Sequence, residues 1–432
     1  MVKVSGNHLI AKTLKEEGVD TLFYLMGGPD FDIVMECQDV GIRTIDFRHE
    51  QAAAFAAHAY SRVTGKPGVL TAASGPGTLN LITGVYTAAI DCSPMVILGG
   101  ASPVHEISRD AFQEVDQVGI MQPLCKYWHR PTMASRYPEI VSTAYRQAQS
   151  GRPGPTYIDC GGDVLYEEVE ESDVFPATRA ETRTRPAAES AVVDKAMALI
   201  SNAERPLIFA GGGAFFSGAA SELERFVNTT NIPFYTAPMS RGLVPEDHPV
   251  SFPAARSTAM READVVLVVG TRLNWMMNYG RRFNPNAKII QIDIDEAELG
   301  HNQNIDLGIF GDAKAVMSQF NEAADGSAGD YAGALESEWI LSLQNAQEER
   351  AARNAAILNS DQVPIHPLRL CNEIAEFLDR DAIVSVDGNE ILHFGRQSIP
   401  TYYPGHRLNS GVTGTMGVGL PHGIGAQIAK PD

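Results

Sequence analysis

The chain has 432 residues, 44% hydrophobic and 20% charged, a composition that fits a globular protein and excludes a disordered or fibrous one. With 34 basic against 53 acidic side chains the formal charge is −19, which argues against nucleic acid or an anionic membrane as a general partner. The five cysteines (Cys37, Cys92, Cys125, Cys160, Cys371) form no CxxC pair and read as reduced thiols of a cytoplasmic protein, and no stretch has the apolar length of a membrane span.

The N-terminal MVKVSGNHLIAKTLKEEG lacks a cleavage site and reads as an amphipathic helix, with Leu9, Ile10 and Leu14 on one face. Residues 1–170 then alternate helices with short apolar strands (TLFYLMG, GVLTAAS, PMVILGG, PTYIDC), each closed by a small residue, as in a parallel sheet. The polar run YEEVEESDVFPATRAETRTRPAAES has no apolar period and reads as a linker. Residues 189–325 repeat the alternation through RPLIFAGGG, IPFYTAP, ADVVLVVGTR and AKIIQIDID. A second linker, NEAADGSAGDYAG, leads into a charged helix, LESEWILSLQNAQEERAARNAAIL. The third block, 363–432, opens with the helix HPLRLCNEIAEFL and the strand AIVSVDG and ends in a glycine-rich stretch. A doubly wound sheet needs more strands than this block supplies, so it is expected to be incomplete and the sequence to be truncated at its C-terminus. The expected fold class is α/β, with three doubly wound, mostly parallel-sheet domains.

Four places carry candidate chemistry. Glu50, in DFRHEQAAAFAAHAYSRV, sits where a strand gives way to a helix of small residues, the end of an open α/β sheet at which ligands collect. The plainer alternative is a helix-terminal glutamate stabilised by the macrodipole. Ser74–Asn80, SGPGTLN, alone is an ordinary βα turn, and SGVTGTMGVGLPHGIGA alone is a glycine-rich helix entry with Met416 filling a core. Ala210-Gly211-Gly212-Gly213 alone is another βα turn.

Taken together, RHEQAA, GKPGV, SGPG-x-x-N, AFQEVDQ and GRPGPTYID at these spacings resemble the acetolactate synthase superfamily of thiamine-diphosphate enzymes, over essentially the whole chain. The resemblance implies an N-terminal domain that binds and activates the cofactor's aminopyrimidine, a central nucleotide-binding-like domain, and a C-terminal diphosphate-binding domain. It implies that Glu50 hydrogen-bonds a pyrimidine ring nitrogen and so drives the cofactor's amino group to the imino form that takes the acidic thiazolium proton. A desolvated carboxyl suits that proton shuttle. Gly27, Pro29, Ser74, Pro76 and Asn80 are implied to line the cofactor, with Gln113 as a second catalytic residue. The Gly414 carbonyl is implied to accept from the amino group, and Met416 to wedge beneath the two rings. The family normally draws these elements from different subunits, implying a homodimer or homotetramer with active sites at the interface. Mg²⁺ is implied at the diphosphate, held by a Gly-Asp turn and a later Asn. That motif is expected beyond Asp432, so no metal ligand is assigned among the 432 residues.

The run GTRLNW, with QIDID downstream, is similar to the 2-hydroxyacyl-CoA lyase and oxalyl-CoA decarboxylase branch. In that branch the central domain holds ADP rather than FAD. The resemblance places Arg152 and Arg272 on the phosphates and Asp293 on the ribose, with Gly212 and Asp312 also assigned to the nucleotide. Two departures bear on the substrate. The first βα turn reads Gly27-Gly28-Pro29 where the branch usually has Gly-Ile-Pro, which enlarges the pocket. Phe112-Gln113 matches the lyases rather than the oxalyl-CoA enzymes, and Lys126-Tyr127-Trp128-His129 resembles benzaldehyde lyase. The expected activity is therefore cleavage of a 2-hydroxyacyl-CoA to an aldehyde and formyl-CoA. The alternatives are an acetolactate synthase-like or benzaldehyde lyase-like carboligase acting on 2-keto acids or aldehydes, or a catalytically inactive regulatory homologue.

Overall fold

Runs such as VVLVV are apolar on both faces of a strand, and only a sheet covered by helices on each side buries them. The computed structural model describes residues 2–179, 184–325, 335–388 and 390–432. Its strands are β1 Lys3–Ser5, β2 Thr21–Leu25, β3 Arg43–Asp46, β4 Gly68–Ala72, β5 Met95–Ala101, β6 Tyr127–His129, β7 Pro155–Gly161, β8 Glu168–Glu170, β9 Pro206–Ala210, β10 Phe234–Thr236, β11 Val265–Val269, β12 Lys288–Asp293, β13 Leu307–Phe310, β14 Val384–Val386 and β15 Arg407–Asn409. The protein divides into two compact units, one holding the described residues up to 179 with Thr415–Asp432, the other running from Thr184 to Gly414. The stretch expected to open a third domain is thus divided between them.

The first unit is built on a six-stranded sheet in the order β3-β2-β4-β5-β7-β6, every pair parallel. From β2 the chain steps outward to β3 and returns to β4 on β2's other side. That reversal is the switch point where such sheets open a crevice at the carboxyl ends of their strands. The run expected as the first linker begins instead with a strand, β8, paired antiparallel with β1. Glu168 is exposed, while Val4 and Val169 pack on the core, so one apolar residue per strand suffices to seat it.

The helix Glu50–Thr64 is buried along most of its length. His49 caps it, Nδ1 accepting from the Gln51 N–H, and Gly65 ends it in the left-handed conformation. Its alanines let neighbours approach closely. A Cβ on Gly84 would lie 2.4 Å from Ala54 Cβ, and one on Gly425 would lie 2.3 Å from the Ala56 carbonyl oxygen. The helices Ile82–Ile90 and Gly419–Ala429 therefore rest almost directly on its backbone. A charged seam crosses this packing. The rings of His58 and His422, both fully buried, meet edge-on at 5.4 Å, and Asp91 Oδ2 lies 3.7 Å from His58 Nε2 and 3.8 Å from Arg62 Nη1. Neither histidine has a hydrogen-bond partner at either ring nitrogen. Burial and the neighbouring Arg62 push His422 down to about 3, and the same influences, burial first, hold His58 well below its usual value.

The second unit carries a five-stranded parallel sheet in the order β10-β9-β11-β12-β13, with its own reversal between β9 and β11. Phe209, Phe226, Phe320 and Trp339 fill its core, and the Trp339 indole N–H donates to Pro206 O at 3.1 Å. The predicted helices appear as Ala220–Thr230, Glu338–Leu358 and Pro367–Phe377, and β14 pairs with β15 in a small parallel ladder. Of the second expected linker, 321–325 ends the helix Ala313–Asp325, and the rest lies outside the described residues. Among the described residues no helix is long and apolar enough to cross a membrane.

Candidate active site

At the switch point of the first sheet the turns after β2 and β4 are tied together, the Ser74 N–H donating to Gly28 O at 3.0 Å. Gly27 and Pro29 belong to the first turn, Ser74 and Pro76 to the second, and a cis peptide joins Gly28 to Pro29. The Pro76–Asn80 helix that follows is short, and its last residue turns back to Glu50. Asn80 Nδ2 donates to Glu50 Oε2 at 2.9 Å, and Glu50, the first residue of its helix, is 9% exposed. No basic side chain pairs with this carboxyl among the described residues. A Cβ on Gly77 would lie 3.4 Å from Oε1, so the glycine keeps that second oxygen approachable. The structure thus brings Gly27, Pro29, Glu50, Ser74, Pro76 and Asn80 to one crevice.

Gln113 joins them from the loop after β5. Its φ is +58°, and Ser108 and Asp110 in the same loop are also left-handed at +66° and +55°, a conformation that costs non-glycine residues energy and persists where the surroundings impose it. Ser74 Oγ donates to Gln113 Oε1 at 2.6 Å, so the Gln113 amide nitrogen keeps its two protons for another acceptor. Phe112, beside it, is 83% exposed.

Beneath this crevice lies a polar network that the sequence does not single out. Gln117 is 1% exposed; its Nε2 reaches Gly100 O at 2.9 Å, Tyr157 Oη at 2.9 Å and Asp159 Oδ1 at 2.8 Å, while its Oε1 accepts from the Gly75 N–H. Arg130 pairs with Asp159. Asp30, at the head of the helix Phe31–Asp39, is fully buried and pushed up to about 7 by that burial. Gln117 and Asp159 stand inside AFQEVDQ and PTYIDC, so their segments are visible. What no spacing carries is that one glutamine ties the turn after β4 to β5 and β7.

The other predicted residues fall elsewhere. Gly414 ends the second unit with φ +64°, while Met416, in the first, is 76% exposed. Arg152 also belongs to the first unit, where Nε lies 3.1 Å from Cys92 Sγ. Gly212, Arg272, Asp293 and Asp312 all lie at the carboxyl edge of the second sheet: Asp293 ends β12, and the others follow β9, β11 and β13. The turns after β9 and β11 interlock, Gly213 N–H donating to Gly270 O at 2.9 Å. Asp312 has a structural task there: Oδ1 accepts from the N–H groups of Lys314 and Ala315, and Oδ2 from Arg185 at 2.9 Å. Asp293 Oδ1 accepts from the Asp295 N–H. Among the described residues no cluster of three His, Cys, Asp or Glu side chains could hold a metal.

Residues 4–120 match the family described as thiamine pyrophosphate enzyme, N-terminal TPP binding domain, and residues 193–320 match thiamine pyrophosphate enzyme, central domain. Human 2-hydroxyacyl-CoA lyase 1 is 34% identical over 432 residues, covering 100% of this chain and 74% of its own. The chain belongs to the thiamine-diphosphate enzyme family. An acetolactate synthase large subunit from Mycobacterium tuberculosis is 35% identical over 427 residues, 99% of this chain and 76% of its own. A probable acetolactate synthase large subunit from Methanocaldococcus jannaschii is 36% identical over 455 aligned positions, 99% of this chain and 74% of its own. Lyases and synthases thus stand at the same distance, and the family, not the substrate, is what identity establishes. The site of this thiamine-diphosphate enzyme fits its cofactor on one direct observation: a buried carboxyl with one oxygen held by an amide and the other approachable is a natural partner for the ring nitrogen of an aminopyrimidine.

Proposed function

We propose that this thiamine-diphosphate enzyme cleaves 2-hydroxyacyl-CoA thioesters to an aldehyde and formyl-CoA, or runs that reaction as a carboligation. The observation that carries the choice of a thioester lies in the second unit. Arg256, Arg282 and Arg396 influence one another electrostatically, and none forms an ion pair among the described residues. Arg256 lies over the Phe209 ring at 5.4 Å and donates to Met277 Sδ at 3.1 Å, and burial, then Arg396 and Arg282, push it down to about 10. Arg282 and Arg396 are exposed and Arg256 is half-buried, so the three present positive charge that an anion can answer, and the phosphates of coenzyme A are such an anion.

Bound thiamine diphosphate, with Mg²⁺ on its diphosphate, supplies an acidic thiazolium carbon and an electron sink. The protein's own residues position and move protons around it. Asn80 fixes the Glu50 rotamer, leaving Oε1 to share a proton at the pyrimidine nitrogen. Ser74 occupies the Gln113 carbonyl oxygen, so the Gln113 amide nitrogen turns its protons toward a substrate oxygen. Gly27, Pro29 and Pro76 line the crevice. ADP rather than FAD is proposed for the second sheet's edge, with Arg272 on its phosphates and Asp293 on its ribose. A colourless protein whose melting temperature rises with ADP, and an Arg272→Ala variant that loses most of that rise, is the expected result.

The deciding experiment is steady-state kinetics on a 2-hydroxyacyl-CoA and on pyruvate. Arg396→Ala should raise KM for the thioester by about 10- to 100-fold, the scale of a lost charge-assisted contact. Pyruvate condensation without thioester cleavage would sink the proposal. A second reading, a carboligase of free 2-keto acids or aldehydes, draws support from Gly28: a Cβ there would meet nothing within 4 Å, so the turn leaves open space beside the crevice.

A further inference from the structure

The Thr71 hydroxyl has more acceptors than protons. It lies 2.8 Å from the Leu98 carbonyl oxygen and 3.2 Å from Asp30 Oδ2. A carbonyl only accepts, and it is the nearer, so Thr71's single proton goes there. Toward Asp30 the hydroxyl then offers only a lone pair. An ionised Asp30 would face that lone pair across 3.2 Å in a site closed to water, whereas a protonated one donates to it. The other oxygen, Oδ1, is buried with no side-chain or backbone partner at hydrogen-bond geometry. No basic side chain stands nearby to compensate a charge: the ionisable groups that feel Asp30 are Glu50 from its helix, Cys160 on β7 and Tyr166 after it. The N–H groups of Gly27 and of Asp30 itself favour ionisation, and desolvation outweighs them.

We propose that Asp30 is a neutral, protonated carboxyl in the folded protein, and that its hydrogen bond to Thr71 makes it the positioning residue for the Gly27–Pro29 turn above the crevice. The turn runs straight into Asp30, and Asp30 is anchored to β4, the strand across the switch point. A proton on Asp30 thus ties the β2 turn to the strand carrying the Ser74 turn. Losing that proton places a charge under the site, next to Glu50. Only the positioning role rests on the cofactor reading; the protonation is a property of the protein alone.

The test is infrared difference spectroscopy of the whole protein without cofactor, wild type against Asp30→Asn. A protonated-carboxyl stretch at pH 6 that is missing in the variant is expected, and its absence in the wild type would overturn the proposal. Thermal melts give a second readout. The folded protein holds at Asp30 a proton that the unfolded state releases above its ordinary value of 3.8, so this contribution to stability is lost as pH rises toward about 7. The melting temperature of wild type minus Asp30→Asn should therefore fall by at least about 5 °C between pH 5 and pH 8. A gap that does not move with pH would refute it. Thr71→Val covers the case in which Asp30→Asn fails to fold: it removes the acceptor but keeps the burial, so the infrared band should persist and shift. In the loaded enzyme, loss of thiazolium proton exchange in wild type above about pH 7 that Asp30→Asn does not share would support the positioning role, and identical profiles would reject it.

Discussion

The two parallel sheets have the same construction and spend their carboxyl edges differently. At the edge of the six-stranded sheet, polar side chains bond one another: Ser74 to Gln113, Asn80 to Glu50, and Gln117 to β5, Tyr157 and Asp159. At the edge of the five-stranded sheet, Asp293 and Asp312 bond nearby backbone, and Asp312 also pairs with Arg185, while elsewhere in that unit Arg256, Arg282 and Arg396 go without a carboxylate among the described residues. The first edge is preorganised, with its electrostatics settled before anything binds. On the proposed reading, the second unit leaves positive charge for a ligand to answer. Substitutions in the first should therefore cost rate and stability, and those in the second should cost affinity.

The largest effect tests the first half of that contrast. Glu50→Gln should slow deprotonation of the cofactor's thiazolium carbon, followed by hydrogen–deuterium exchange, by about 10²- to 10⁴-fold. Exchange at the wild-type rate would remove Glu50 from the chemistry. Next comes Gln117→Ala, which leaves the Gly75 N–H without its acceptor and takes a donor from the Gly100 carbonyl, Tyr157 and Asp159 in a buried place; denaturant unfolding should show a loss of roughly 2–4 kcal/mol. A loss below about 0.5 kcal/mol would mean that the network is not a unit.

The seam at His58 and His422 gives a smaller, pH-dependent effect. Both are held below the unfolded value of 6.5, so the unfolded state takes up protons that the folded one refuses. The stability they contribute is present above pH 6.5 and is lost as pH falls below it. In His422→Phe the acid slope of the melting temperature should drop by about half. An unchanged slope would show that other groups carry it. Smallest is Asp312→Ala, expected to cost about 1 kcal/mol as a lost helix cap, equally with and without ADP. A loss confined to the ADP-bound protein would move Asp312 from structure to binding and blur the contrast between the two edges.

The strands that announce themselves by mostly apolar runs, β2, β4, β5, β7, β9, β11 and β12, are legible in the sequence because burial on both faces leaves that signature. β3, β6 and β13 sit at sheet edges and are only three or four residues long, too short for a run to mark them. β8 reads as linker for the same reason. Of the site, Glu50, Ser74 and Asn80 can be read because their roles belong to short contiguous motifs. Gln117, Asp159 and Asp30 cannot. Their importance lies in bonds between residues some 40 apart, such as Gln117 with Asp159 or Asp30 with Thr71, and sequence distance carries no trace of those.

The alanine-rich helix behind Glu50 also bears on how this protein can change. With Gly84 and Gly425 pressed on Ala54 and Ala56, one added methyl group on either glycine collides with its neighbour. Random mutagenesis will return these positions almost unaltered. Phe112, 83% exposed on a loop beside the crevice, has no such constraint, and neither does the open side of Gly28. A library seeking new substrates gains its variety at those two sites, while the helix that aims the glutamate stays fixed through the search.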